Sequence, residues 1–376
     1  MTALQADSKA VLRFAGLVAW LGRHPLVAII LLVAAQQTFT FGARDLWWSD
    51  EVRQADVLQS LIDRGHWIAL QLNETPYPDK PPLYFWFLGL IAAVFGSTAP
   101  PVIFFGLALT HLFFSLCVYA MARMMALERS TALVTVLVLS TLNYLLFLSH
   151  YARMDFMFAG FIALSWGCFW KAAHEPSTSR AMLLGFAAAA AATMTKGPFG
   201  FLLPLAALIA FLAWQRRPAR LLSLDVGLGL VILAATVAAW IAGIALAESL
   251  DYVRFIFSDQ IVGRTAKNAD NPLNYLIYLG LLPLLFMPWT VALPALREAW
   301  DPSAAQGVPD RRAFLWSTVI AGVVVMSVVG EKHDYYLLPL FAPLSLLVAM
   351  KLTSVSDAIA ARVWISVAAV LAVIAL

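Results

Sequence analysis

Long apolar stretches separated by short polar breaks run through most of this chain. Cutting at the breaks gives candidate helical spans near residues 25–42, 100–122, 131–150, 154–172, 181–195, 198–214, 223–247, 273–296, 313–329, 336–351 and 362–376. Their lengths are on the order of the ~20 residues a helix needs to cross the hydrocarbon core. One more apolar piece, 82–96, is shorter, opens with Pro81-Pro82 and ends at Gly96. It suits a helix lying at the membrane interface or re-entering it as well as a full span.

Composition turns this pattern into a class. Of 376 residues, 62% are hydrophobic and 12% are charged, where soluble domains carry roughly 25% charged residues. The expected fold is an all-α polytopic membrane protein. The net charge of +3 carries no nucleic-acid signal, because most basic residues sit in short loops beside helices, as membrane topology requires. Cys117 and Cys168 both fall inside apolar runs, so neither a disulfide framework nor a thiolate metal site is expected. The first apolar run follows a polar, basic leader and is long enough to be retained as a membrane helix.

Charge bias then orients the chain. Lys9, Arg13 and Arg23 put the N-terminus in the cytoplasm, so residues 43–80 lie outside; they hold seven acidic residues against Arg44, Arg53, Arg64 and Lys80. If 82–96 does not cross, Arg123, Arg129, Lys171, Arg180, Arg216, Arg217, Arg220, Arg297, Arg311 and Arg312 all fall inside. If it does cross, they all flip outside. The positive-inside rule therefore favours an interfacial 82–96 and about 11 transmembrane helices. The first extracytoplasmic loop, 43–96, then carries juxtamembrane helices. The same parity gathers WWSDEVR (47–53), YPDKPP (77–82), HYARMD (150–155), the end of MTKGP (194–198), SDQIVGRTAKNAD (258–270) and EKHDYY (331–336) on the outer face.

Taken singly, these stretches have ordinary structural readings. Ser49 or Asp50 could cap a helix, Lys80 and Lys196 could snorkel, Asp155 could pair locally with Arg153, and Tyr335 and Tyr336 could be interface-belt aromatics. Their common siding is harder to account for, because ionisable groups near a membrane are costly and mark function. The four prolines between Pro76 and Pro82 hold Asp79 and Lys80 on a stiff strap. A fixed ammonium at the lipid–water boundary suits a lipid phosphate. Transfer from such a phosphate needs no general acid, since phosphate leaves readily. It needs a carboxylate to activate the acceptor or to stabilise oxocarbenium character, and Asp50 and Asp155 are the candidates.

Five motifs occur in order: Asp50-Glu51-Val52-Arg53, Tyr77-Pro78-Asp79-Lys80-Pro81-Pro82-Leu83, Ala152-Arg153-Met154-Asp155, Thr195-Lys196-Gly197-Pro198 and Tyr336-Leu337-Leu338-Pro339. Together they resemble the bacterial transferases of the dolichyl-phosphate-mannose–protein mannosyltransferase type. The likeness is closest to the undecaprenyl-phosphate aminoarabinose transferases of lipid A, and it spans roughly residues 45–345. The resemblance implies a GT-C membrane glycosyltransferase in a bacterial inner membrane with its site facing the periplasm. It would be inverting, with a polyprenyl-phosphate-linked sugar as donor and a lipid A-like glycolipid, another glycan or a protein as acceptor. By position, Asp50 is implied as the leading catalytic carboxylate, with Asp155 and Glu51 beside it. Arg53, Lys80, Lys196 and Arg264 would hold the donor phosphate, and Tyr77, Tyr336 and Gln260 would line the site. Some relatives hold a divalent metal, for which Asp79 is the matching position. Val52 stands where proline is usual, and Gln260 stands where a metal-binding histidine is expected; glutamine is a poor ligand for a transition metal. Residues 1–376 form one transmembrane domain on this reading, with no soluble C-terminal domain. The alternative, a transporter or flippase for a lipid-linked or anionic substrate, calls for ionisable groups at the bilayer midplane and internal repeats. The spans offer neither.

Overall fold

A computed structural model describes residues 16–17, 19–38, 44–174, 179–258, 272–291 and 309–375. Among them the fold is helical apart from one two-stranded hairpin. The chain runs α1 (Pro25–Gln37), α2 (Ser49–Arg64), β1 (Gln71–Leu72), β2 (Thr75–Pro76), α3 (Leu83–Phe95), α4 (Pro100–Met124), α5 (Arg129–Ser140), α6 (Asn143–Leu148), α7 (Asp155–Ala173), α8 (Arg180–Lys196) and α9 (Phe199–Trp214). It continues through α10 (Leu224–Ala247), α11 (Leu250–Ile256), α12 (Ile277–Leu285), α13 (Pro309–Val328), α14 (Phe341–Leu352) and α15 (Asp357–Ala375). Among the described residues, five helices are long and apolar enough to cross a membrane, and several shorter apolar helices accompany them.

Helix α7 is the centre of the assembly. It is apolar on every side, and α4, α8 and α9 pack around it until Trp166, Phe169 and Phe156 are almost wholly buried. A helix hydrophobic all round belongs inside other protein. Helix α10 is the opposite case. It packs chiefly on α8 and leaves Leu224, Leu228 and Val231 exposed, a surface suited to lipid rather than water.

Three expected spans are interrupted, each for a local reason. The 131–150 run breaks at Thr141–Leu142. There the Thr141 hydroxyl donates back to Leu137 O (2.9 Å) and accepts from the Trp289 indole (2.9 Å), while Asn143 N donates to Met287 O (3.1 Å). The 336–351 run begins as a 3₁₀ segment, Asp334–Leu340, that contains Pro339, which has no N–H to give an α-helix. The 273–296 run opens with a 3₁₀ segment, Pro272–Leu276, before α12, and residues 292–296 lie outside those described. The 82–96 piece is α3, 13 residues long. At 1.5 Å per residue it measures about 20 Å, short of a ~30 Å hydrocarbon core.

The hairpin steers the proline strap. Asn73 and Glu74 turn with positive φ (49° and 64°), the geometry of a tight hairpin turn. Asn73 N donates to Asp56 Oδ2 of α2 at 2.7 Å, and Tyr77 N to Leu70 O at 2.7 Å. Residues 77–82 are thereby laid along α2. The turn between α8 and α9 is equally specified. Gly197 has φ +89°, ψ −154°, a conformation reserved for glycine. A Cβ on Gly200 would lie 2.1 Å from Thr193 N, so only glycine lets α9 start this close to α8.

Charges segregate by end. The C-termini of α7 and α9 meet where Arg217 donates to Ala173 O (3.2 Å). The start of α13 joins them through His174–Asp310 (3.7 Å), and the start of α10 through Arg220–Asp225 (2.6 Å). Lys171, Arg180 and Arg216 belong to this end as well. Asp155, Lys196 and the start of α9 lie at the other end, a helix length away, about 28 Å for the 19 residues of α7.

Two outcomes follow from this packing. Gly200→Ala should lower the melting temperature in detergent, since overpacking costs about 1–3 kcal/mol even where side chains can yield and here the obstacle is backbone; an unchanged melting temperature would contradict the close approach. Cysteines placed at 215–220 should resist an impermeant thiol reagent in intact spheroplasts, and labelling there would reverse the inferred orientation.

Candidate active site

The first helix of the polar end is docked by a buried acid. Glu51, three residues into α2, is fully buried and accepts from Arg44 Nη2 (2.6 Å) and Nη1 (2.9 Å). It also accepts from the backbone N–H groups of Ala152 (2.9 Å), Trp47 (3.0 Å) and Trp48 (3.2 Å). Burial pushes this carboxyl up, but the Arg44 guanidinium and the three N–H groups outweigh it and hold the group below its ordinary 4.5. Arg44 also donates to His150 O and lies over the Phe104 ring at 4.6 Å. The helix cap expected from Ser49 or Asp50 is thus supplied differently. Trp48 occupies the cap position without a side-chain bond, and Glu51 reaches back to its N–H. Asp50 is left free of capping duty.

Asp50 points instead into an alternating row of charges. Arg153 Nη1 and the Tyr151 hydroxyl (3.2 Å) donate to Asp50 Oδ2, and Arg53 Nη1 lies 3.3 Å from Oδ1. Arg153 Nε donates to Asp155 Oδ2 at 2.8 Å, and Lys196 Nζ donates to Asp155 Oδ1. The order is Arg53, Asp50, Arg153, Asp155, Lys196. Each internal member has an opposite charge on both sides, the condition under which buried ions are tolerated. Tyr335 forms the floor, its ring 3.8 Å from the Arg153 guanidinium carbon and 4.5 Å from Lys196 Nζ; Lys196 is also 4.8 Å from the Tyr336 ring. Burial opposes the charge on Arg153, but Asp155 and Tyr335 more than restore it. The Tyr151 hydroxyl, desolvated beside Glu51 and Asp155, is pushed up to about 12, so it remains a donor.

Above this row is a polar chamber of about 200 Å³. Its lining comes from four parts of the chain: Asp50 and Arg53 of α2, Tyr77, Asp79 and Lys80 of the strap, Arg153 and Lys196 beside α7 and α8, and Glu331, His333, Tyr335 and Tyr336 of the segment before α14. An apolar cavity of about 480 Å³ adjoins it, lined by Phe201, Leu202, Trp240, Ile241, Ile256 and Phe257 among others. Asp79, Lys80, Lys196 and Tyr336 border both spaces. Two ammonium groups therefore stand where a polar compartment meets a greasy one.

The structure brings Asp50, Arg53, Tyr77, Asp79, Lys80, Lys196 and Tyr336 together around the chamber, with Asp155 bonded beneath. Glu51 does not join them, because its oxygens are turned toward Arg44 and the 150–152 backbone. Gln260 and Arg264 lie outside the described residues. Asp79 Oδ2 lies 4.0 Å from Arg53 Nη1, and among the described residues no three His, Cys, Asp or Glu side chains converge as a metal set. Arg153, Glu331, His333 and Tyr335 line the chamber without having been expected there from the sequence. The siding of HYARMD and EKHDYY was the only signal for them, and it could not say which side chains turn inward.

Comparison with known proteins places these features. Residues 79–241 match the family model for dolichyl-phosphate-mannose-protein mannosyltransferase. The chain is 30% identical over 309 residues to the undecaprenyl phosphate-alpha-4-amino-4-deoxy-L-arabinose arabinosyl transferase of Pseudomonas aeruginosa, covering 80% of this chain and 55% of the relative. It is 31% identical over 312 residues to the protein of that name from Erwinia tasmaniensis, covering 81% and 55%. The chain thus spans about half the length of the curated relatives it matches. Among solved structures, ArnT from Cupriavidus metallidurans bound to undecaprenyl phosphate superposes with a TM-score of 0.77 at 22% identity, covering 92% of this chain and 63% of that one. The Archaeoglobus fulgidus oligosaccharyltransferase superposes with a TM-score of 0.52 at 14% identity, covering 92% and 51%. The two superpositions show a shared GT-C fold.

The Glu51 clamp makes its own prediction. Glu51→Gln strands the Arg44 charge in the interior, and breaking a buried pair costs about 3–5 kcal/mol; the variant should unfold at markedly lower temperature. Because the folded carboxyl titrates below its ordinary value, its contribution is complete at neutral pH and fades as pH drops beneath about 4.5. Thermal unfolding of wild type and variant should therefore converge on acidification, and parallel curves would contradict the clamp.

Proposed function

This chain is a GT-C-fold relative of the undecaprenyl-phosphate aminoarabinose transferases, and from that premise we propose that it is an inverting glycosyltransferase using a polyprenyl-phosphate-linked sugar. The observation that carries the reading is the shared border of the two cavities. A polyprenyl-phosphate sugar has an apolar tail, one anionic phosphate and a polar ring in linear order. The apolar cavity, the Lys80–Lys196 pair and the polar chamber repeat that order in space. Lysine suits a phosphate as a compact point charge, and Arg53, partly exposed in the chamber lining, adds a forked partner.

In the reaction, the sugar C1–O bond to phosphate breaks, the phosphate leaves with the electron pair, and a C1–O bond to the acceptor forms on the opposite face. Asp50 is kept anionic by its three donors, since hydrogen bonds to the charged form favour that form. A carboxylate so held is suited to facing positive charge as it develops at C1. Asp155 lies beneath the chamber and acts by fixing Arg153 and Lys196. The site would open to the periplasm of a bacterial inner membrane, because the basic loops gather at the other end. The relatives suggest an aminopentose as the sugar and a lipid A-like glycolipid as the acceptor.

The direct test is radiolabel transfer in proteoliposomes containing undecaprenyl-phosphate aminoarabinose and a lipid A glycolipid; no transfer to any glycolipid, glycan or protein would end the reading. Asp50→Asn keeps the shape of the side chain but removes its charge. It should fold, bind donor and lose about 10²–10³-fold in turnover, the scale for removing one electrostatic partner of a transition state. Asp63→Asn, exposed on α2, is the control and should be silent. Lys80→Ala should weaken binding of undecaprenyl phosphate itself, and unaltered binding would remove Lys80 from the phosphate site.

A further inference from the structure

Carboxylates in and beneath the chamber answer to cations: Asp50 to Arg153 and Arg53, Asp155 to Arg153 and Lys196, Asp79 to Arg53. Glu331 also lies beside a histidine. Its Oε1 lies 3.6 Å from His333 Nε2, and both side chains line the chamber. They belong to the segment between α13 and α14 and share the chamber lining with Asp50.

The histidine is held on several sides. Its backbone N–H donates to the Tyr278 hydroxyl (3.1 Å), which in turn donates to His333 O (3.0 Å). Its ring stacks on Tyr335 at 4.8 Å and 12°, and meets Tyr336 edge-on at 5.2 Å. An imidazole fixed by packing and backbone bonds, backed by a carboxylate and still partly open to a cavity, has the arrangement of a positioned base. It is also the group best able to take a proton here. Asp50 is gripped by two guanidinium groups and a phenol, and Asp155 is closed off by Arg153 and Lys196.

We propose that His333, supported by Glu331, accepts the proton from the attacking O–H of the acceptor. This deepens, and rests on, the transferase reading above. The acceptor oxygen bonds to C1, its proton passes to the imidazole, and the polyprenyl phosphate departs with the electrons of the C1–O bond. Glu331 then faces an imidazolium and stabilises it. The charged and titratable groups around the ring include Lys196 from α8, Arg153 from the loop before α7, and Glu331, Tyr335 and Tyr336 from its own segment. Burial holds the imidazole below its ordinary 6.5; Glu331 raises it, and Lys196 and Arg153 lower it further. The ring is therefore neutral, and able to accept, at physiological pH.

A base must be neutral to act, so turnover should fall as pH drops through the titration of this imidazole and should be level above it. The experiment is a pH–rate profile of the full chain in proteoliposomes, with undecaprenyl-phosphate aminoarabinose and a lipid A glycolipid as probes. His333→Ala should bind undecaprenyl phosphate normally, lose about 10²–10⁴-fold in kcat, lose the acid limb, and recover activity when free imidazole is added. Glu331→Gln, a milder change, should keep the acid limb but move it to lower pH. An acid limb that survives in His333→Ala, or turnover within threefold of wild type, would overturn the proposal. Wild-type protein that transfers nothing at any pH would instead overturn the transferase reading and this proposal with it.

Discussion

Arg153 bridging Asp50 and Asp155 is the contact on which the polar end of this molecule depends. Each of the three groups is buried or partly buried, and an isolated ion at such depth would cost several kcal/mol. Alternation removes that cost only if all members are present and in order. It therefore ties together four separate pieces of chain: the start of α2, the loop before α7, the end of α8, and the Tyr335 ring beneath. The Glu51–Arg44 clamp does the same one layer away, fixing the loop that carries Tyr151 and Arg153 against α2. Removing either network would leave the chamber walls without a common reference.

The second organising feature is a boundary between solvents. Helix α7 is buried by protein, α10 is greasy on its exposed side, and the bundle keeps its charges at its two ends. A protein that must meet both an isoprenoid and a phosphate needs both environments within one molecule's length. Here they meet across four shared residues, among them the glycine-turn lysine and the strap lysine. Rigidity at both is built by backbone chemistry. Gly197 and Gly200 allow α8 and α9 to reverse tightly beside Lys196, and the hairpin with its prolines lays Lys80 along α2.

Much of the helical layout was legible from hydropathy. The spans at 100–122, 154–172, 181–195, 198–214 and 223–247 agree with helices to within a few residues, because in an apolar run the backbone must satisfy its own hydrogen bonds. The breaks at Thr141 and before Phe341 were not legible. The first depends on Trp289 and Met287, more than a hundred residues away. In the second, Pro339 was visible, but the 3₁₀ geometry around it needed its neighbours. The acids of α2 show the same limit at one-residue scale. Asp50 and Glu51 are adjacent and chemically alike, yet a helix turns them about 100° apart, one into the chamber and one into the clamp.

What the sequence determined by itself was the class of fold, the gathering of ionisable motifs at one end and the residue types on offer to a phosphate-linked lipid. These follow from composition, periodicity and charge bias, which are summed along the chain and need no knowledge of contacts. The tertiary structure decided which of those residues face one another: that Arg153 links two acids, that Glu51 is structural, that Glu331 and His333 meet in the lining of the same chamber. Side-chain partnership is a matter of a few ångströms between segments far apart in number, such as Arg153 and Tyr335, and only packing fixes distances of that kind.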